Sequence, residues 1–233
     1  MNAEPARASS LPAVDALHNA LHAIDLAHRY APGRGLSRIE FTIRSPGVAA
    51  ITGPNGSGKS TLLRIIAGLL RPSQGRLQFV RAGRETAPLA RRGHVGFTSP
   101  ELTFYPELTA EENLRFAGDA LGLPDAASAA RIALERTGLT GRVHDRAGAL
   151  SSGLRQRLRL AFTLLHRPHV LLLDEPGSHL DDDGRRMLEG LVTDHAREGL
   201  VVIATNDERE CGWAAQRIPL TIASRPALAG PVR

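Results

Sequence analysis

The chain has 233 residues, 42% of them hydrophobic and 23% charged, which is enough to bury a core as one large domain or two small ones. Its longest purely apolar runs, such as residues 200–204, fall far short of the ~20 residues that a membrane-spanning helix needs. The net charge of +5 suits phosphate ligands or an anionic surface. Only 4% of residues are aromatic, and the sequence has no basic stretch with aromatic residues between its charges, so we expect no nucleic-acid partner. The single cysteine excludes an internal disulfide and is typical of the cytosol, and residues 1–10 lack the pattern of a signal peptide.

In chain order, residues 1–20 are rich in Ala, Pro and Ser and are predicted to be a loose N-terminal extension, and residues 21–233 are predicted to form a single domain. Short strand patterns follow at residues 23–27, 39–43 and 48–52. Tyr30 is placed in the loop after the first of these strands.

A glycine-rich loop comes next and leads into a helical pattern at residues 62–70. It fits G-x-x-x-x-G-K-[ST] with Gly53, Pro54, Asn55, Gly56, Ser57, Gly58, Lys59, Ser60 and Thr61. Between a strand and a helix, such a loop points backbone N–H groups and the positive end of the helix dipole at phosphate oxygens. We therefore predict that Lys59 reaches β- and γ-phosphates and that the Ser60 hydroxyl ligates Mg²⁺.

Strands and helices then alternate at both ends of the chain around a largely helical block. Further strands are predicted at residues 76–80, 94–98, 170–173, 200–205 and 218–222, and helices at residues 153–166 and 187–197. Inside the block, Thr109 and Glu112 have the spacing of a capping box at a helix start. The alternation predicts an α/β fold with a parallel sheet and an inserted helical subdomain at about residues 100–168.

Two carboxylates, Asp174 and Glu175, directly follow the apolar run at residues 170–173. They would lie at the C-terminal end of a central strand, where open parallel sheets bind their ligands. Asp174 would hold Mg²⁺ directly or through water, and Glu175 would polarise the water that attacks the γ-phosphate. A plain turn completed by Pro176 is the alternative.

A third motif consists of Ser151, Ser152 and Gly153 at a predicted helix start. Its free N–H groups and hydroxyls suit phosphate, although an N-capped surface helix has the same pattern. The order and spacing of the three motifs resemble the ATP-binding cassette (ABC) family over about residues 21–222.

This resemblance implies a P-loop NTPase fold of the ABC type, with a mixed parallel core, an antiparallel β subdomain and the helical subdomain. The matches are residues 53–61 with Walker A, residues 170–175 with Walker B, residues 150–154 with the family signature, residues 178–181 with the loop after Walker B, and Tyr30 with the aromatic side chain that stacks on adenine. In the family, ATP lies between the Walker A loop of one cassette and the signature of another. The chain is therefore expected to form a homodimer or to pair with a related cassette.

The resemblance further implies ATP hydrolysis with Mg²⁺, a membrane-spanning permease as partner, and a peripheral location on the cytoplasmic face of the cell membrane. Leu154 and the segment at residues 105–109 are most similar to subunits that export drugs, lipids or haem. Two alternatives are a soluble ABC ATPase with no role in transport and a regulatory cassette with little or no turnover.

Two positions depart from the family pattern. Where the family has a glutamine that contacts Mg²⁺, this chain has Pro100, so that metal contact is lost or passes to the neighbouring Glu101. Where the family has a histidine at the γ-phosphate, it has Asn206, which donates a hydrogen bond but carries no charge. With Lys59 and Glu175 intact, we predict hydrolysis that is slow or dependent on the partner.

Overall fold

The computed structural model describes residues 19–31 and 34–222, so the predicted N-terminal extension lies almost entirely outside the described residues. The strands are β1 (Ala20–Ala31), β2 (Arg34–Arg44), β3 (Gly47–Thr52), β4 (Gln74–Arg81), β5 (Arg84–Glu85), β6 (Val95–Thr98), β7 (Val170–Asp174), β8 (Leu200–Ala204) and β9 (Gln216–Pro219). The helices are α1 (Lys59–Ile66), α2 (Pro88–Arg91), α3 (Ala110–Ala120), α4 (Ala126–Arg136), α5 (Ser152–Leu164), α6 (Asp182–His195) and α7 (Glu208–Gly212). Within the described residues, none of these helices has the length and apolar character that crossing a bilayer requires.

The strands form two sheets. One has the order β6-β7-β8-β3-β9, and the pairings within it are parallel. The other has the order β2-β1-β4-β5 and is antiparallel. This confirms the predicted mixed architecture of a parallel core with an antiparallel β subdomain.

Strand β7 shows why the central strands read as unbroken apolar runs. Val170 and Leu172 pack into a cluster with α1 and the antiparallel sheet. Leu171 and Leu173 pack into a second cluster with α5 and α6. Because side chains alternate between the faces of a sheet and both faces are covered, the four positions before Asp174 are all apolar.

The helical block takes the form of α3, α4 and α5, and its capping box is confirmed. The Glu112 N–H donates to the Thr109 hydroxyl oxygen over 3.1 Å, and the Thr109 N–H donates to the Glu112 carboxylate over 2.8 Å. These two bonds satisfy N–H groups that a helix start leaves free. The division of the chain into an extension and a single domain stays a prediction.

The structure differs from the predicted elements mainly at their ends. β1 begins three residues before the predicted strand and ends four residues after it, because it pairs with β2 on one side and β4 on the other, so the placement of Tyr30 in a loop was wrong. α6 begins five residues before the predicted start because the Asp181 side chain accepts from the Gly184 N–H over 2.7 Å and caps it. The last strand, β9, ends at Pro219, three residues before the predicted end.

Candidate functional site

A cavity of about 520 Å³ lies where the loops after β3 and β7 meet. Its lining residues are Tyr30, Arg34, Gly35, Asn55, Gly56, Gly58, Lys59, Ser60, Thr61, Glu175 and Ile222. The structure therefore brings the glycine-rich loop, the aromatic residue and the Walker B glutamate together around one space.

The loop before α1 depends on glycine at both of its ends. Gly53 has φ 142°, and a side chain there would collide with the Leu220 carbonyl oxygen. Gly58 has φ 103°, and a Cβ atom there would lie 3.0 Å from Leu36 Cα. These conformations curl the chain so that α1 begins at Lys59 with its N-terminal N–H groups free for an anion.

Lys59 and Ser60 stand beside the Walker B aspartate. Lys59 is buried and donates from Nζ to the Gly53 carbonyl oxygen over 2.7 Å. Asp174 is only 4% exposed, and burial raises the pKa of its carboxyl group, while a hydrogen bond with the Ser60 hydroxyl acts in the opposite direction.

This pair of oxygen ligands fits Mg²⁺. A hydroxyl and a carboxylate are hard donors of the kind Mg²⁺ prefers, and a divalent cation would offset the burial of the Asp174 charge. Ser60 and Asp174 would hold the ion, which would neutralise charge on the phosphate oxygens.

Glu175 has an unusual backbone conformation for a glutamate. Its φ is 47°, in the left-handed region, and its N–H donates to the Ala204 carbonyl oxygen over 2.9 Å. Such conformations are held by their surroundings and recur at functional sites. Here the conformation places an exposed carboxylate on the wall of the cavity, where a general base is required.

Asn206 contacts the phosphate loop. Its Oδ1 accepts from the Gly53 N–H over 3.3 Å, so the loop after β8 is tied to the start of the glycine-rich loop. The amide nitrogen remains the donor end of the side chain. Contact of Asn206 with a γ-phosphate stays a prediction.

Glu101 lies outside the lining of the cavity. Its carboxylate accepts from Arg64 Nη2 over 2.6 Å, and 77% of its side chain is exposed. Arg64 is on α1, four residues beyond Ser60, so the pair connects the loop after β6 to the helix of the phosphate site. The role of Glu101 as a metal ligand stays a prediction.

The signature residues also lie outside the lining of the cavity. The Ser151 hydroxyl oxygen caps α5 by accepting from the Leu154 N–H over 3.3 Å, and Ser151 and Ser152 are exposed. A Cβ atom on Gly153 would lie 2.9 Å from the His179 carbonyl oxygen, so this helix start packs on the loop after Walker B. Contact of these residues with ATP stays a prediction.

Tyr30 is 54% exposed and packs edge to face against His28 with the ring centroids 4.5 Å apart. Sequence reasoning missed Arg34, which lines the cavity and would offer a positive charge to a nucleotide. It also missed Arg64, the partner of Glu101. A lone arginine close behind the aromatic residue was the available signal for Arg34.

The sequence profile of the family described as "ABC transporter" matches residues 36–178. Similar relatives include the cytochrome c biogenesis ATP-binding export protein CcmA of Cupriavidus pinatubonensis, 38% identical over 191 residues that cover 80% of this chain and 83% of the relative. The CcmA protein of Nitrosospira multiformis is 34% identical over 209 residues that cover 86% of this chain and 98% of the relative.

Solved structures agree with these matches. CbiO1 from Clostridium perfringens, part of the ABC transporter complex cbiONQ, superposes with a TM-score of 0.72 at 27% identity and covers 87% of this chain and 85% of that chain. The ATP-binding cassette MJ0796 bound to ADP and Pi superposes with a TM-score of 0.77 at 23% identity, covers 87% and 95%, and shares the fold. This chain therefore belongs to the ABC transporter family and is an ATP-binding subunit with that family's ATPase fold and activity.

Proposed function

We propose that this chain hydrolyses ATP with Mg²⁺ to drive export through a membrane-spanning permease. It acts as a homodimer or with a related cassette, on the cytoplasmic face of the cell membrane. The observation that carries the proposal is an apolar groove of about 420 Å³ beside the phosphate site. Arg64 of α1 and its partner Glu101 lie in its wall, so the groove touches the helix that begins at Lys59.

The groove is suited to a protein partner. Its apolar lining consists of Ala67, Leu69, Val95, Phe97, Leu102, Leu121 and Phe162. Leu69 and Leu121 are each 53% exposed and line the same groove, and a contiguous apolar surface of this kind is typical of a binding site for another protein. We assign the groove to a short amphipathic helix on the cytoplasmic side of the permease.

Relatives support both the partner and the direction. The pyoverdine export ATP-binding/permease protein PvdT of Pseudomonas fluorescens is 37% identical over 190 residues, which cover 78% of this chain and 29% of that protein. Its name joins an ATP-binding part to a permease and to export. The CcmA relatives are also named as export proteins, and we extend export to this chain.

The exposed signature supports pairing of two cassettes. Ser151 and Ser152 lie at a free helix start and outside the cavity of their own chain. ATP in that cavity would gain their hydroxyl and N–H groups only from a second cassette. The residues of this chain would then bind the phosphates through the loop at residues 53–61 and activate water through Glu175.

The experiment is a purification of the tagged Glu175→Gln variant with ATP from native membranes, followed by mass spectrometry. We expect a membrane protein with several spanning segments to copurify, and Leu121→Arg to abolish its recovery because the change puts a charge into the groove. Leu89→Arg is the matched control, since Leu89 is 74% exposed and does not line the groove. Recovery of dimer alone, or equal loss in both Leu→Arg variants, would contradict the proposal.

Export direction needs its own test. Inside-out vesicles that carry the chain and its permease should accumulate cargo only with ATP, and we would begin with haem because the similar CcmA proteins serve cytochrome c biogenesis. Vesicles with Glu175→Gln should accumulate none. ATP-dependent release from loaded inside-out vesicles would show import instead.

A further inference from the structure

A continuous chain of hydrogen bonds joins the groove to the backbone beside Glu175. At the groove, Arg159 Nε donates to the Leu102 carbonyl oxygen over 2.9 Å. In the middle, Arg159 Nη1 donates to Gln156 Oε1 over 3.1 Å. At the site, Gln156 Nε2 donates to the Pro176 carbonyl oxygen over 2.9 Å, one residue after Glu175. We call these four residues the relay.

The chemistry of the relay leaves one role for each member. Both ends are carbonyl oxygens, which only accept, and the arginine only donates. The Gln156 amide has an acceptor oxygen and a donor nitrogen, so it can accept from Arg159 and donate to Pro176 at the same time. Gln156 and Arg159 stand three residues apart on α5, so they lie on the same side of the helix.

Burial makes the relay costly to break. Gln156 is 2% exposed, and both polar atoms of its amide have partners. Burial, with the nearby charge of Arg155, lowers the pKa of Arg159, so its guanidinium is partly desolvated and depends on its two acceptors. A buried polar group left without a partner is strongly unfavourable, so loss of either bond to the Gln156 amide should be costly.

The groove end of the relay is a compact turn. The Leu102 N–H donates to the Ser99 carbonyl oxygen over 3.0 Å, and the Glu101 N–H donates to the Ser99 hydroxyl oxygen over 3.3 Å. Pro100, inside this turn, has no polar side-chain atom. Two bonds lead from this turn toward the site: the exposed Glu101–Arg64 pair and the bond from Arg159 to the Leu102 carbonyl oxygen.

We propose that Arg159 and Gln156 are positioning residues that transmit the position of the turn at residues 99–102 to Glu175. Displacement of Leu102 pulls Arg159, which pulls the Gln156 amide and then the carbonyl of Pro176. Pro176 directly follows Glu175, whose backbone is already in the left-handed region, so a shift of Pro176 would move the backbone that carries the Glu175 side chain. Identification of the permease as the cause of the movement rests on the proposed function, whereas the coupling is a property of the isolated chain.

Three variants separate the links. Gln156→Glu has the same shape and still accepts from Arg159 but no longer donates to Pro176, so it breaks the site end alone. Arg159→Met keeps most of the apolar stem and removes both donor bonds. Arg131→Met is the control, since Arg131 is an exposed arginine of the same subdomain whose Nε donates to Glu111 over 3.0 Å.

Hydrogen exchange on the isolated, full-length chain tests the relay without any turnover. Arg159→Met should speed exchange both at residues 99–104 and at residues 176–181, and Gln156→Glu should speed it at residues 176–181. Arg131→Met should change neither segment. If Arg159→Met affects only residues 99–104, Arg159 braces the turn locally and the proposal is overturned.

Kinetics give the second readout. We expect kcat of Gln156→Glu and Arg159→Met to fall by about tenfold with the ATP dissociation constant within about twofold, and the double variant to be no slower than either single variant. Equal losses in kcat and ATP affinity, or multiplicative effects in the double variant, would overturn the relay. Should Arg159→Met fail to fold, Gln156→Glu still tests the link to Pro176, and unchanged exchange at residues 176–181 would overturn the proposal. Both readouts use the isolated chain, so they hold whether or not a permease is its partner.

Discussion

Two kinds of loop leave the carboxyl edge of the parallel sheet, and they are held in different ways. The loops after β3 and β7 take their shape from the backbone, through φ 103° at Gly58 and φ 47° at Glu175. The loops after β6 and β8 are attached by side chains, through the Glu101–Arg64 ion pair and the bond from Gly53 N–H to Asn206.

The two ways of holding a loop suit two different tasks, catalysis and the response to a partner. Groups that bind phosphate and activate water must be in place before the reaction, and a backbone that cannot rearrange locally supplies that order. A side-chain bond at the surface can change partners at little cost, as a loop that responds to a partner must. Substitutions in the first kind of loop should therefore have the larger effect on the reaction, and those in the second kind a smaller one.

The largest expected effect is in the backbone-held loops. Glu175→Gln keeps the shape of the side chain but removes the base, so ATP hydrolysis should fall on the order of 10³-fold while ATP binding remains. Phosphate release and fluorescent-nucleotide binding measure the two quantities. Glu189→Gln, an exposed position on α6, is the control. If Glu175→Gln hydrolyses ATP within twofold of the parent rate, Glu175 is not the general base, and the distinction between the two kinds of loop is wrong.

A smaller effect is expected at Asn206, in the second kind of loop. Asn206→His restores a group that carries a proton, and turnover should rise by up to about 10²-fold. Asn206→Ala removes the acceptor for the Gly53 N–H and should lower turnover instead. Single-turnover hydrolysis of the three proteins gives the ranking. An unchanged or slower rate in Asn206→His would show that the asparagine does not limit the reaction.

The backbone-held loops were also the part that the sequence predicted well. Glycines with positive φ and a short strand buried on both faces leave local signals, so the loop at residues 53–61 and the pair Asp174 and Glu175 could be located from the sequence, while their roles toward ATP stay predictions. The mixed fold followed from the same motifs by resemblance and is confirmed.

Side-chain bonds between distant segments left no such signal. Arg64 and Glu101 are 37 residues apart, and Arg159 and Leu102 are 57 apart, so only the folded chain shows that they meet. Tyr30 was misplaced because the length of β1 is set by its pairing partners on both sides. The relay belongs to the same class, since neither Gln156 nor Arg159 is unusual on an amphipathic helix.

The Glu101–Arg64 pair should have little effect on stability and a regulatory effect on activity. Both side chains reach solvent, so Arg64→Met should cost less than about 1 kcal/mol of unfolding free energy. If Glu101 serves the metal, Glu101→Ala should raise the Mg²⁺ concentration for half-maximal hydrolysis several-fold, and Glu107→Ala, an exposed control, should not. If the parent, Glu101→Ala and Glu107→Ala need the same Mg²⁺ concentration, Glu101 serves only the ion pair with Arg64.

The smallest expected effect concerns Glu210, which lies where the two kinds of loop meet. This carboxyl group is 3% exposed on α7, and a side chain at Gly177, in the loop after Glu175, would collide with it. Burial raises the pKa of Glu210, partly opposed by hydrogen bonds with Thr205 and Gly177. The folded chain therefore binds more protons at this position than the unfolded chain, and stability falls as the pH rises from the ordinary pKa of 4.5 to the raised folded-state pKa.

Glu210→Gln removes that titration, so the Tm of the variant relative to the parent should rise across this window and then level off. Thermal unfolding between about pH 4 and 8 measures the difference. Glu208→Gln is the matched control on the same helix, because Glu208 is exposed and its carboxylate accepts from Arg217 Nη1 over 3.4 Å. A Tm difference that does not change with pH would mean that the Glu210 carboxyl is ionised in the folded chain as readily as in the unfolded one. The contact between the two loops would then depend on a charge rather than on a buried neutral acid.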